Sequence, residues 1–92
     1  MAQLDVDLVA ADRKIWSGEA TVVIAPAADG EIGILPGHSP VLAVLRAGEI
    51  RVTPVSGTLL SFMIDGGFLS VDANRVTIVA DSVTVTTDAP TR

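Results

Sequence analysis

Few residues of this chain have side chains that suit catalysis, and the first to consider are the neighbours His38 and Ser39. His38 is the single histidine among 92 residues. A serine nucleophile needs a facing histidine base and a third group that orients the base. Neighbours on extended backbone point to opposite sides, so this pair does not form that arrangement. The sequence therefore favours no hydrolase, and we predict no catalytic residue.

Metal and phosphate sites have no better support. The sequence contains no cysteine, and one histidine leaves Asp and Glu as the main metal ligands, at spacings that do not match a calcium-binding loop. The segment DGEIGILPGHSP is rich in glycine, but it lacks the order GxxxxGK[ST] and a following helix. We therefore predict neither a metal nor a cofactor.

Composition restricts the class of protein further. A length of 92 residues allows one domain, and 49% hydrophobic with 18% charged residues predicts a packed globular fold. Six basic residues are scattered among eleven acidic ones, which gives a net charge of -5 and argues against nucleic acid as a partner. The longest apolar run, PVLAVL, is far shorter than the roughly 20 residues of a membrane helix. We expect a soluble, intracellular chain that does not insert into a membrane.

Short apolar segments with a period of two predict strands throughout. In QLDVDLVA, Leu4, Val6 and Leu8 alternate with acidic residues, which is typical of a half-buried strand. PVLAVLRAG is bracketed by Pro40 and Gly48, so we predict a strand there too. KIWSG and ATVVIAP are predicted as separate extended pieces. Strands at intervals of roughly 8 to 10 residues are typical of a β-sandwich or a β-barrel. The predicted class is therefore all-β, with nine or ten short strands in residues 1–86, followed by a polar tail at 87–92.

The aromatic side chains and a glycine pair have simple structural interpretations. Phe62 and Phe68 lie in apolar segments and are predicted to be core residues. Gly66 and Gly67 predict a tight turn between two strands. Trp16 is interpreted either as a packing residue or as an anchor for a partner protein, because tryptophan is enriched at interfaces.

The segment from residue 29 to residue 45 is harder to explain by packing alone. Glycine and two prolines interrupt the apolar residues Ile32, Ile34 and Leu35, so this segment cannot form an ordinary central strand. Proline and glycine together allow a rigid surface loop or edge, and rigidity lowers the entropic cost of docking. Glu31 and His38 would supply polar contacts from such a surface. A docking surface and a purely structural corner both remain open at this stage.

Two motifs resemble a known family. GEIGILPGHSPVLAVLRAGEIRV, followed by GGFLSVDANRVTIVAD, resembles the N-terminal domain of the epsilon subunit of F-type ATP synthase, and DRKIWSG looks closest to actinobacterial members. The resemblance spans residues 3 to about 82. It implies a ten-stranded β-sandwich of short antiparallel strands in the rotating central stalk, in contact with the gamma subunit and the membrane-embedded c-ring. By this resemblance, the residues that form the ring contact are Gly30, Glu31, Gly33, Pro36, Gly37 and His38.

The resemblance also implies a function without catalysis. The chain would couple gamma to the c-ring during proton-driven ATP synthesis, at the cytoplasmic face of the cell membrane and without direct insertion. The segments ATVVIA and TLLSFM are the predicted candidates for the surface that contacts gamma. The helical hairpin that follows this domain in most members is absent from the sequence, so inhibition by that hairpin is not implied. The alternative is a free-standing β-sandwich that binds a small ligand or a peptide in a groove containing Trp16.

Overall fold

The computed structural model describes residues 3–11, 13–55 and 57–85, and these form nine β-strands and no helix. The predicted all-β class is confirmed, and the predicted tail at 87–92 lies outside the described residues. The strands are β1 (Leu4–Ala10), β2 (Arg13–Ala27), β3 (Gly30–Ile34), β4 (Val41–Leu45), β5 (Gly48–Pro54), β6 (Leu60–Ile64), β7 (Gly67–Asp72), β8 (Arg75–Ala80) and β9 (Val83–Val85).

Strand β2 is 15 residues long and contributes to both layers of the sandwich. Its first half pairs with β1, and its second half pairs with β3 along one edge and with β5 along the other. The register with β5 shifts between Ala20 and Val22, which is the kind of irregularity that bends a strand. The segments predicted as two strands, KIWSG and ATVVIAP, are therefore one strand. This merger explains why the described residues contain nine strands and not ten.

We divide the strands into two layers. Layer 1 has the order β2 (residues 13–20), β1, β8, β7, β4, and layer 2 has the order β3, β2 (residues 22–27), β5, β6, β9. All recorded pairs are antiparallel except β1 with β8, which are parallel, so the predicted antiparallel pairing holds with one exception. Strand β4 meets β2 at a single residue pair, Ala27 with Leu45.

The core follows the predicted alternation on most strands. Leu4, Val6 and Leu8 face inward and are almost fully buried. The prediction is confirmed for Phe62, which is 2% exposed, but it is wrong for Phe68, which is 54% exposed. Leu69 and Val71 supply the inward positions of β7, so Phe68 must point outward. The other buried members of the core cluster are Ala20, Val23, Ala25, Ile34, Leu45, Ile50, Val52, Ile64, Val76, Ile78 and Ala80.

Short turns collect at one end of the sandwich. Leu45, Gly67 and Ala80 are adjacent in layer 1, and Gly48, Ile64 and Val83 are adjacent in layer 2. The two-residue connections 46–47, 65–66 and 81–82 therefore lie side by side, and the Ser82 N–H donates to Asp65 Oδ1 at 3.1 Å. The β2–β3 turn, residues 28–29, joins them because the Ala28 N–H donates to the Val44 carbonyl at 3.0 Å. We call these four turns the turn end.

Glycine is required where the strands begin at this end. A Cβ atom at Gly67 would lie 2.0 Å from the carbonyl oxygen of Val79 on the neighbouring strand. Such a contact is impossible without moving the backbone, so Gly67 serves close strand pairing as well as the predicted turn.

Truncation of neighbouring residues on β8 tests the inward and outward assignment. We expect Ile78→Ala, at a fully buried site, to lower the free energy of unfolding by about 2–5 kcal/mol, because it leaves a cavity. The matched control Val79→Ala, at a site that is 43% exposed, should change it by no more than about 0.5 kcal/mol. Urea denaturation measures both, and equal losses would contradict the assignment.

Candidate functional site

Strand β3 forms an outer edge of layer 2 and carries half of the predicted contact residues. Gly30, Glu31 and Gly33 lie on it, with Glu31 and Gly33 exposed. Ile34 at its end is fully buried and anchors the strand to the core. The edge is therefore a surface feature with a fixed base, as the pattern of glycine and aliphatic residues predicts.

The loop at residues 35–40 carries the other predicted contact residues, Pro36, Gly37 and His38. It follows β3 and is closed by a hydrogen bond from the His38 N–H to the Leu35 carbonyl at 3.1 Å. The His38 Nδ1 atom lies 2.6 Å from the backbone oxygen of Ser39, so it is positioned to donate to that oxygen. The imidazole is thus paired with the backbone oxygen of Ser39 and not with the serine hydroxyl.

A side chain that sequence reasoning missed holds this loop. Asn74 lies in the β7–β8 turn with a positive φ of 64°, and its Oδ1 atom accepts the Gly37 N–H at 2.7 Å. Its backbone carbonyl accepts the N–H of Asp5 on β1 at 2.8 Å. Asn74 therefore ties the loop to two strands of layer 1. The Asp-Ala-Asn-Arg sequence signals the turn, but nothing in it shows that the loop lies within reach.

The structure does not bring Glu31 and His38 together. Glu31 is the second residue of β3, next to the turn end, whereas His38 lies beyond the far end of the strand. The rise of a strand, about 3.3 Å per residue, places the two ends of β3 about 13 Å apart. One surface that meets an end of the sandwich therefore contacts Glu31 or His38, while a surface that lies along the β3 edge contacts both.

An ion pair fixes the Glu31 side chain on the outer face of layer 2. Arg51 Nη2 on β5 lies 3.3 Å from Glu31 Oε2 and 3.5 Å from Oε1. The pair reaches over β2, where Ile24 is the register partner of Arg51 and Pro26 that of Glu31. Both side chains are substantially exposed, so the pair orients the carboxylate more than it stabilises the fold.

Trp16 has the environment of a packing residue. It lies on β2 opposite Leu8, is partly buried, and packs against the core cluster. A Cβ atom at Gly18 would lie 2.8 Å from its ring, so glycine makes room for the indole. Trp16 does not line the groove formed by residues 27–32 and 42–44, so this groove does not fit the alternative of a ligand site that contains Trp16.

The outer face of layer 1 carries an apolar surface that the sequence reasoning also missed. Val44, Phe68 and Val79 are directly paired across β4, β7 and β8, with Val9 of β1 continuing the row. Their exposed fractions are 57%, 54% and 43%, and Leu42, at 73%, is next to the row. We call Leu42, Val44, Phe68 and Val79 the apolar face. Its signal in the sequence is that VLAVL, GFL and TIVA have apolar residues at outward as well as inward positions.

A polar group borders the apolar face. Ser17 Oγ donates to Asp7 Oδ1 at 2.8 Å, and the Lys14 ammonium lies 3.4 Å from the same oxygen. The hydrogen bond from Ser17 is the main reason that the pKa of Asp7 lies below its ordinary value, and the Lys14 charge lowers it further. Asp7 is therefore a fixed negative charge at the margin of the face.

A groove lies between the turn end and β4. It has a volume of about 450 Å³ and is lined by residues 27–32 on one side and Leu42, Ala43 and Val44 on the other. Asp29 and Glu31 make one wall acidic, whereas β4 makes the other apolar.

Residues 3–11, 13–55 and 57–85 contain no group of three Asp, Glu or His side chains arranged to hold a metal ion. In the same residues, no helix is long and apolar enough to span a membrane.

A polar edge and an apolar face on one small sandwich are typical of a subunit that connects other proteins. Comparisons with known proteins define the class further, because residues 3–86 match the family described as the ATP synthase, Delta/Epsilon chain, beta-sandwich domain. The chain belongs to this family, whose epsilon chains are non-catalytic subunits of the membrane-associated ATP synthase.

Individual relatives agree with this assignment. The chain is 47% identical over 89 residues to the ATP synthase epsilon chain of Rhodococcus erythropolis, covering 96% of this chain and 73% of the relative. It is 51% identical over 82 residues to that of Micrococcus luteus, covering 89% of this chain and 90% of the relative. These sources are actinobacterial, as the DRKIWSG segment suggests.

Solved structures show the same fold. A chain of the Euglena gracilis mitochondrial ATP synthase, in a structure of OSCP, F1 and the c-ring, superposes with a TM-score of 0.86 at 25% identity. The match covers 92% of this chain and 54% of the Euglena chain, so this chain spans about half of its length. A chain from the central stalk and c-ring of the Tetrahymena thermophila enzyme matches with a TM-score of 0.75 at 19% identity, over 88% of this chain and 65% of that one.

Substitutions of Asn74 test its hold on the loop. Asn74→Gly keeps a residue that tolerates positive φ and removes only the side-chain acceptor, so we expect amide exchange at Gly37 to accelerate about tenfold while the melting temperature changes little. Asn74→Asp retains an acceptor oxygen and should retain the protection. NMR-detected hydrogen exchange measures the difference, and an unchanged rate at Gly37 in Asn74→Gly would show that the bond does not hold the loop.

Proposed function

We propose that this chain is a rotor subunit of the ATP synthase central stalk, which couples the gamma subunit to the c-ring during proton-driven ATP synthesis. The observation that carries the proposal is the family match over residues 3–86, and it is supported by an exposed apolar face and a separate polar β3 edge on one sandwich. In this role the chain lies at the cytoplasmic face of the cell membrane and is peripheral to it. The nucleotide chemistry takes place in other subunits of the complex.

The apolar face is the proposed docking surface for gamma. Phe68 and Leu42 are large apolar side chains with more than half of their surface exposed, and monomeric proteins rarely keep several such residues in one patch without a partner. The segments predicted for this role, ATVVIA and TLLSFM, belong to β2 and β6. Two large side chains of TLLSFM are exposed: Leu59, just before β6, and Met63, on the outer face of layer 2.

The β3 edge, the loop at 35–40 and the adjoining turn end form the proposed contact with the c-ring. The proposal retains Gly30, Glu31, Gly33, Pro36, Gly37 and His38. The turns beside Glu31 expose Asp29, Asp65 and Asp81, so this end of the sandwich is polar. We therefore assign the main polar contact to Glu31, which lies at this end. The Arg51 contact holds the Glu31 carboxylate in one orientation, which lowers the entropic cost of the interaction.

Opposite faces of the sandwich provide a matched test of the gamma contact. Phe68→Ser should weaken binding to the purified gamma subunit by at least about tenfold, since exposed aromatic anchors contribute most at interfaces. Met63→Ser, on the outer face of layer 2, removes a side chain of similar exposure and should change binding less than twofold. Titration calorimetry measures both. If Met63→Ser is the more damaging substitution, the gamma contact is on layer 2.

Single substitutions distinguish the two ends of β3 in the ring contact. Glu31→Ala should reduce attachment of the chain with gamma to purified c-rings several-fold, because it removes the oriented carboxylate at the turn end. His38→Ala should have a smaller effect, since its ring is paired with the backbone of Ser39. Both melting temperatures should stay within a few degrees of the unsubstituted chain, because both sites are on the surface. Loss of stability in proportion to loss of attachment would make Glu31 structural instead.

A further inference from the structure

Strand β4 has an open backbone edge. Its pairing with β7 has Val41, Ala43 and Leu45 in register with Val71, Leu69 and Gly67. The two-residue turn that joins Asp72 to Arg75 makes those two residues a hydrogen-bonded pair, so by alternation Leu69 and Val71 direct their N–H and C=O groups toward β4. Val41 and Ala43 are their partners in these hydrogen-bonded pairs. Leu42 must then direct its own N–H and C=O groups away from β7.

The neighbouring strand does not reach Leu42. Strand β2 covers this edge only at its far end, where Ala27 is the register partner of Leu45 and the Ala28 N–H donates to the Val44 carbonyl. The backbone groups of Leu42 therefore face the groove, and among the described residues no backbone bond outside the strand ladders involves them. The open groove of about 450 Å³ leaves room for a chain segment beside them.

The β4 edge lacks the features that protect other edges. Natural sheet edges are blocked by charges, by proline, by glycine-containing irregularities or by extreme shortness. Strand β3, for example, carries Glu31 and two glycines. Strand β4 reads VLAVL, with Pro40 before it and Arg46 after it but no charge or proline inside it. Such an edge pairs readily with another strand.

We infer that the β4 edge is a strand-addition site, where an extended segment of a partner polypeptide pairs its backbone with Leu42. The groove identifies the chemistry of this segment. Apolar side chains on one side of it would continue the apolar face beyond Leu42 and Val44, and a basic side chain would reach the carboxylate of Asp29 on the opposite wall. The inference rests on the proposed function, because it assigns the segment to gamma, the partner of the apolar face. Main-chain pairing of this kind gives affinity, while the side chains give specificity.

Hydrogen exchange tests the inference on the unsubstituted chain. The Leu42 amide should exchange at an unprotected rate in the free chain and at least about a hundredfold more slowly in the complex with purified gamma. If the complex forms but the Leu42 amide stays unprotected, the strand-addition site is wrong while the proposed function stands. If no complex forms at micromolar concentration, it is the proposed function that fails. Protection that rises with concentration in the chain alone would assign the edge to a second copy and overturn the inference.

A pair of substitutions isolates the backbone donor. Proline is tolerated at an edge position whose N–H faces solvent, so Leu42→Pro removes the outward donor without removing a bond to β7. Leu42→Ala removes most of the side chain and keeps the donor. We expect Leu42→Pro to weaken gamma binding at least about tenfold more than Leu42→Ala, because the partner's carbonyl is left unpaired. Melting curves confirm that both variants fold, and equal affinities of the two folded variants would contradict backbone pairing at Leu42.

Discussion

The arrangement of this molecule depends on how one strand distributes its backbone hydrogen bonds. Strand β2 pairs with β1 and then β3 along one edge, and with β5 and then β4 along the other. A single 15-residue strand thereby connects both layers, and its bend near Ala20 and Val22 determines where one layer gives way to the other. Because β4 receives only the last residue of β2, the open edge at Leu42 follows directly from this distribution.

The same constraint separates the surfaces of the sandwich. In layer 2, β2 pairs with β3 on one side and with β5 on the other, so β3 forms an outer edge. On this edge Glu31 is exposed and forms an ion pair with Arg51. In layer 1, β4, β7 and β8 are packed on one side only, and the outer side carries apolar residues. A domain of 92 residues buries a limited fraction of its surface, so a large apolar face lowers solubility unless a partner covers it. Exposure of this face is consistent with a subunit that works only inside an assembly.

Sequence periodicity predicts those parts of the fold where one side of a strand is polar. The alternation of Leu4, Val6 and Leu8 with acidic residues assigns β1 correctly, because only one register buries the leucines. The same reasoning fails for Phe68. Apolar residues lie on both sides of β7, so the alternation of its sequence does not show which side faces the core. The continuity of β2 is equally hidden, because a bulge is set by the strands that pair with it.

The candidate site shows the same division between local and long-range information. Glycine and proline correctly predict a surface edge and loop at residues 30–38, because their backbone restrictions are local. The function of Asn74 depends on a contact 37 residues away, between Gly37 and the β7–β8 turn, and no local pattern encodes it. Glu31 and His38 are close in sequence, but the intervening strand is extended and carries them to opposite ends. The proposed partners rest on the family match, because the residues alone leave them open.

The register of β4, β7 and β8 places the apolar face close to the turn end. Val44, Phe68 and Val79 form one row across layer 1, and the next residues toward the turns, Leu45, Gly67 and Ala80, form the row that borders the turn end. One residue of strand, about 3.3 Å, therefore separates the apolar face from that row.

The turns at 46–47, 65–66 and 81–82 each connect a strand of layer 1 to a strand of layer 2. A force applied at the turn end therefore enters both layers through short backbone connections. A path of paired strands and two-residue turns has few segments without backbone hydrogen bonds, so it has few places that open locally. The fold thus provides a short, hydrogen-bonded connection between the apolar face and the turn end.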